Sequence, residues 1–162
     1  MVHVAVLGGG ISGLAAGLFL ARQGHRVTVL EREARQVGTD LDADFLHWHR
    51  PRSPQAVQPH SLLGPIRTVL HDVAPDVYKL MLRHGAVERH ELARFEPFAA
   101  VAGDEDLVTL RARRIVLEAA LGQATRAEPR VHLRTGVDGK DLITVPGPVP
   151  HDDRRYPQRP GD

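Results

Sequence analysis

Cysteine is absent from all 162 positions. That removes disulfides, thiolate nucleophiles, Cys-ligated zinc and iron–sulfur clusters at once. It is compatible with a reducing cytosol, and a cytoplasmic location is the expectation. Lysine is scarce: of 21 Lys+Arg, only Lys79 and Lys140 are lysines. The arginines are scattered, 20 Asp+Glu balance them to a net +1, and aromatics make up only 4%. No basic stripe with interleaved aromatics exists, so neither nucleic acid nor an anionic membrane is an expected partner. The one long apolar stretch, residues 1–20, has no positive leading segment and is interrupted by Gly8-Gly9-Gly10. Glycines there would weaken a helix, so neither a signal peptide nor a membrane span is expected. What remains, 42% hydrophobic and 25% charged, is an ordinary globular composition sufficient for one domain.

Residues 2–7 form a β-branched apolar run, the pattern of a strand buried on both faces of a parallel sheet. Gly8-Gly9-Gly10 stops it. Ile11, Leu14, Ala15, Leu18 and Phe19 then recur at helical spacing, with Gly24 placed to terminate the helix. Residues 26–30 are a second strand ending on Glu31, which completes a βαβ unit. Residues 33–59 show no sustained period and contain Pro51, Pro54 and Pro59, so a long, partly ordered connection is expected. A helix pair should follow. Leu62, Leu63, Ile66, Val69, Leu70 and Val73 line the first helix, with Pro65 in its first turn. Pro75 opens the second, with Val77, Leu80 and Met81 inward and Gly85 as terminator. Residues 96–102 and 107–110 read as strands about a solvated turn at 103–106. Residues 111–127 read as a helix and 131–137 as a strand. Residues 146–162 carry five of the twelve prolines and almost nothing to bury, so a disordered tail is expected. The fold class is α/β, with a Rossmann-type nucleotide-binding domain over residues 1–145.

The chemistry sits in Gly8-Gly9-Gly10-Ile11-Ser12-Gly13, which matches G-x-G-x-x-G. Gly8 lets the chain turn sharply out of the strand, Gly10 leaves room for a pyrophosphate, and Gly13 permits close packing of helix on sheet. The start of the helix, at Ile11 and Ser12, offers free N–H groups and a positive dipole end to the diphosphate. A glycine triplet alone is a weak signal. Here a strand precedes it, an amphipathic helix follows, and Glu31 ends the next strand about 20 residues beyond Gly13, where a carboxylate binds ribose hydroxyls. An acid at that position also disfavours a 2′-phosphate, which counts against NADP. The motif by itself does not separate NAD from FAD, since both carry ADP.

Resemblance separates them. Val4-Ala5-Val6-Leu7-Gly8-Gly9-Gly10-Ile11-Ser12-Gly13-Leu14-Ala15-Ala16, with Gly24-His25-Arg26-Val27-Thr28-Val29-Leu30-Glu31-Arg32, resembles the N-terminus of FAD-dependent monooxygenases. These share the p-hydroxybenzoate hydroxylase and glutathione reductase type of fold. Arg50-Pro51-Arg52-Ser53-Pro54-Gln55 and Pro59-His60-Ser61-Leu62-Leu63 resemble a stretch in FAD oxidoreductases related to squalene epoxidases and geranylgeranyl reductases. Arg114-Ile115-Val116-Leu117, with Leu121 a turn later, resembles the family helix R-x-x-L-x-x-x-L. The resemblance implies FAD as cofactor, NAD(P)H as a possible electron donor and a small-molecule substrate. It implies cofactor contacts at Gly8, Gly10, Ile11, Ser12, Gly13, Glu31, Arg32 and Arg114. The flavin then carries the oxygen chemistry while the protein binds, orients and excludes water, so no acid–base cluster is required. Family members are more than twice as long and supply a second FAD motif with Gly-Asp. Gly161-Asp162 lacks the following helix and does not replace it, so a truncated or frame-shifted product, or an N-terminal fragment, is expected.

Other constellations are weaker. Ten histidines include His47-Trp48-His49, His84 and His90, but no H-E-x-x-H occurs and solvated histidines are the expectation, with no metal. Ser12 is not in a G-x-S-x-G elbow. His60 is expected to pack or lie in a loop. Two further readings stay open: a non-catalytic ADP- or FAD-binding fragment, and an NAD-dependent reductase. The latter would call for a Tyr-x-x-x-Lys or His/Asp pair, and neither Tyr78 nor Tyr156 provides the first. Substrate identity and oligomeric state are not legible.

Overall fold

The computed structural model describes residues 1–51, 53–95, 101–141 and 143. Its N-terminal unit is β1 (His3–Leu7), α1 (Ile11–Arg22) and β2 (Arg26–Glu31). β1 pairs in parallel with β2, and β2 pairs in parallel with β6 (Val131–Thr135), giving the order β1-β2-β6. Alternation decides which side of this sheet is covered. Val27 and Val29 are fully buried together with Ala21, and Val4, Val6, Val131 and Leu133 pack around them. Burying a valine of this kind contributes about 1.5–3 kcal/mol. Gly17 makes the approach of α1 possible, because a Cβ there would lie 2.8 Å from Val29 Cγ2. Gly24 and Gly85, at φ +93° and +92°, end α1 and the later helix Pro75–Arg83 in the left-handed region that favours glycine.

The middle of the chain builds a second layer. α2 (Leu41–His47) starts at Asp40, whose side chain accepts from the N–H groups of Asp42 and Ala43. A 3₁₀ turn at Pro54–Val57 leads into β3 (Pro59–Leu62), and α3 (Gly64–Val73) and α4 (Pro75–Arg83) follow. β4 (Val87–His90) and β5 (Val108–Arg113) complete an antiparallel sheet of order β3-β5-β4. α5 (Arg114–Ala127) joins the layers: ten of its fourteen residues are buried, seven of them in one apolar cluster with Leu14 and Leu18 of α1 and Val77 and Met81 of α4.

Several sequence expectations are corrected. β1 is not buried on both faces: His3, Ala5 and Leu7 are exposed, because β1 is an edge strand and the described residues cover one side only. The connection over residues 33–59, expected to be partly ordered, holds α2 and the 3₁₀ turn. Leu62 belongs to β3, where it pairs with Leu110, and not to a helix. Of the expected apolar lining of α3 only Leu70 is buried; Ile66, Val69 and Val73 are half exposed. Residues 111–113 continue β5 where helix was expected, since Arg111 pairs with both Ser61 and Val87. Ala102 lies in a turn, whereas residues 96–100 of the expected strand and the tail from 146 fall outside the described residues.

Candidate functional site

The glycine-rich turn connects β1 to α1, and each glycine has a distinct reason to be there. Gly8 has φ +103°, and its N–H bonds to Leu30 O at 2.8 Å, which returns the turn to the end of β2. A Cβ on Gly9 would lie 2.8 Å from Glu31 Cβ. A Cβ on Gly13 would lie 1.8 Å from Gly8 O, so its crowding is against the turn more than against the sheet. Gly10 is different. It caps α1 with extended backbone and no side-chain bond, and a Cβ there would meet nothing within 4 Å. The first helical bond is Leu14 N–H to Gly10 O, which leaves the N–H groups of Ile11, Ser12 and Gly13 without helical acceptors. No acidic side chain occupies this first turn. A bare, positively polarised helix end behind an open glycine suits an anionic diphosphate.

Glu31 holds the other side of the turn. Its Oε2 accepts from Gly9 N–H at 2.5 Å and its Oε1 from Glu33 N–H at 2.8 Å. Each oxygen retains a further lone pair, so the carboxylate can brace the turn and still accept from ribose hydroxyls. Val137 N–H donates to Glu31 O at 3.0 Å and carries β6 onward beside it.

These groups open on a cavity of about 400 Å³, within the usual range for a small-molecule site. Of the sequence-derived candidates, Gly8, Gly10, Glu31, Arg32 and Arg114 line it; Ile11, Ser12 and Gly13 do not. Trp48, Arg50, Glu118 and Arg126 line it as well, and sequence reasoning assigned none of them. Arg114 is the first residue of α5, after Arg113 as an uncapped N-cap and with no acid in the first turn. An arginine there works against the helix dipole by about 0.3–1 kcal/mol. Glu118, one turn on and only 4% exposed, accepts from Arg114 Nε at 2.9 Å and also from Arg50 Nη1. Spacing alone could have linked Arg114 to Glu118, as i and i+4 share a helix face. Arg50, far away in sequence, could not be found that way.

Trp48 fixes Arg50 from the side, with guanidinium groups on its ring from Arg50 at 4.4 Å and Arg35 at 4.8 Å. Arg50 Nε is buried with no hydrogen-bond acceptor, Glu33 Oε2 being 3.9 Å away. His47 ends α2, so His47 and His49 do not share a strand face. His60 in β3 bonds Gln58 O at 3.1 Å through Nδ1. Among the described residues no three His, Cys, Asp or Glu side chains come together as a metal site, and no helix is long and apolar enough to cross a membrane.

With this geometry in hand, residues 3–97 match the model of the family described as FAD dependent oxidoreductase. The chain belongs to that family. Individual relatives agree with that membership. The chain is 50% identical over 44 residues to a D-amino acid dehydrogenase of Methylobacterium radiotolerans, covering 27% of this chain and 10% of that one. It is 34% identical over 101 residues to an Arabidopsis thaliana protein named as a flavin-containing monooxygenase, FMO GS-OX-like 11, covering 57% and 58%. Its fold matches that of p-nitrophenol 4-monooxygenase PnpA from Pseudomonas putida DLL-E4, with a TM-score of 0.52 and 19% identity over 84% of this chain and 32% of PnpA. The chain thus matches about a third of that enzyme's length and a tenth of the dehydrogenase. The site residues fit the family's cofactor: an open glycine before a helix start, a carboxylate at ribose distance in sequence, and paired guanidinium groups on the facing wall.

Proposed function

We propose that this cavity takes the ADP portion of FAD, and that the chain forms the cofactor-binding part of an FAD-dependent monooxygenase. The observation that carries the proposal is the meeting of the Gly8–Gly10 turn, Glu31 and Arg114 on one cavity, although Arg114 is distant from the other two in sequence. The family membership supports FAD over NAD, and the names of the Arabidopsis relative and of PnpA support oxygenation. Bound FAD would supply the redox chemistry. The chain's own residues bind and orient it. The positively polarised start of α1 behind Gly10 attracts the diphosphate, Glu31 accepts from the adenosine ribose, Arg32 flanks it, and Arg114 supplies a cation to the phosphates. NAD(P)H as electron donor and a small organic molecule as substrate belong to the same proposal.

Titration of the full chain with FAD and with ADP, followed by calorimetry and flavin absorbance, tests it. One molar equivalent bound, with competition between the two ligands, is expected; absence of both at millimolar ligand overturns it. Binding without turnover is the alternative outcome. Oxygen consumption by the FAD-loaded chain with NAD(P)H separates the two.

A further inference from the structure

Glu118 is a buried carboxylate that faces the cavity, and nothing in cofactor recognition by glycine turn and ribose acid requires it. It engages two arginines at once, Arg114 through Nε on Oε1 and Arg50 through Nη1 on Oε2. Arg114 opens α5, whereas Arg50 lies on the connection between α2 and β3, 68 residues away from Glu118. Each guanidinium meets the carboxylate through a single nitrogen, so each keeps further N–H groups for another acceptor. Glu33 stands 3.9 Å from Arg50 Nε on the same lining, and Arg126 adds a third guanidinium to it. Trp48 presses on the face of Arg50 and removes one route by which it could swing away.

We propose that Glu118 is a positioning residue: its carboxylate holds Arg50 and Arg114 as a spaced pair of guanidinium forks aimed at the diphosphate. The proposal rests on the cavity being an ADP site. Without the carboxylate the two cations repel each other and their forks lose a shared direction. The diphosphate then has to order both arginines on binding. Adenosine makes no use of the pair, since its ribose is met by Glu31.

The test compares ADP and adenosine binding to the full chain, wild type and Glu118→Gln, by calorimetry and by emission of Trp48, the only tryptophan. Glu118→Gln is expected to weaken ADP at least tenfold, change adenosine less than twofold, and blunt the ADP-induced change in Trp48 emission. Equal affinity of ADP for both proteins, or equal losses for ADP and adenosine, overturns the proposal; the second result is what a merely structural Glu118 gives. If Glu118→Gln does not fold by circular dichroism, Arg50→Lys replaces it, keeping the charge but not the fork. The same selective loss of ADP is then expected, and unaltered selectivity overturns the proposal. If wild type binds neither ligand, the cavity reading itself fails, which is a distinct result.

Discussion

At the scale of single residues, the two ends of the glycine motif separate stability from binding. Gly13→Ala places a methyl 1.8 Å from Gly8 O, so the turn must move. A loss of about 2–4 kcal/mol is expected, read as a lower urea midpoint, together with loss of ADP binding. Gly10→Ala meets no protein atom within 4 Å and keeps ordinary backbone angles. Stability should change by less than about 1 kcal/mol, while ADP affinity falls at least about tenfold, because the methyl takes diphosphate space. Equal effects of the two variants on both measurements would contradict the placement of Gly10 at the cavity. Glu31→Gln keeps the shape but removes the charge. It should narrow the preference for ADP over 2′,5′-ADP, since the repulsion of a 2′-phosphate is gone. These residues were legible in the sequence because the constraint is local: strand, turn and helix follow one another and Glu31 closes the unit. Glu118 and Trp48 were not, because their roles come from partners that only tertiary structure supplies.

At the scale of elements, α3, α4 and β4 are joined by a polar cluster outside the cavity. Tyr78 O–H donates to Glu88 Oε1, and Arg67 reaches the same oxygen with Nε at 2.9 Å and Nη2 at 2.8 Å. His71 meets the Tyr78 ring edge-on. The hydrogen bond from Tyr78, then that from Arg67, holds the Glu88 carboxyl below its ordinary value of 4.5. Burial, then the bond to Glu88, raises the Tyr78 phenol above 10.0. A lowered carboxylate stabilises the fold above about pH 4.5, and this is lost as pH falls. A raised phenol stabilises it below about pH 10, and this is lost as pH rises. The stability difference between wild type and Glu88→Gln should therefore be flat between about pH 6 and 9 and shrink at both ends, measured by urea midpoints across pH. The helix pair itself could be read from Pro65, Pro75 and Gly85. β4 could not: Val87-Glu88-Arg89-His90 does not alternate in burial, and it is a strand because β5 offers it a partner. α2 did carry a signal, the N-cap Asp40, but its seven residues are too few to establish a period.

For the whole molecule, the cavity draws on β1, β2, the connection after α2, α5 and the segment after β6. A ligand there ties both layers together. At a concentration a hundredfold above its dissociation constant, ADP should add about 2.7 kcal/mol to unfolding. The signals from Trp48 and from backbone circular dichroism should then shift together in one transition. If only the Trp48 signal moved, the ligand would be stabilising a local clamp and not the domain. Length and composition allowed one domain and the strand–turn–helix–strand order made it α/β, whereas the covered side of the parallel sheet, marked by Val27 and Val29, is a finding of the structure. The edge position of β1 was hidden, because strand order is not written in any one strand.

The pairing of β2 with β6 has a consequence in time. Val27 and Val131 are register partners more than a hundred residues apart in sequence. During synthesis β1, the glycine turn and β2 emerge early, but β2 stays without its second sheet neighbour until β6 and the whole of α5 have been made. Contacts of such long range are slow to form, because loop closure must precede any gain from them. The glycine turn and Glu31 therefore gain the Arg114 and Val137 side of their cavity only after nearly the entire described chain has left the ribosome.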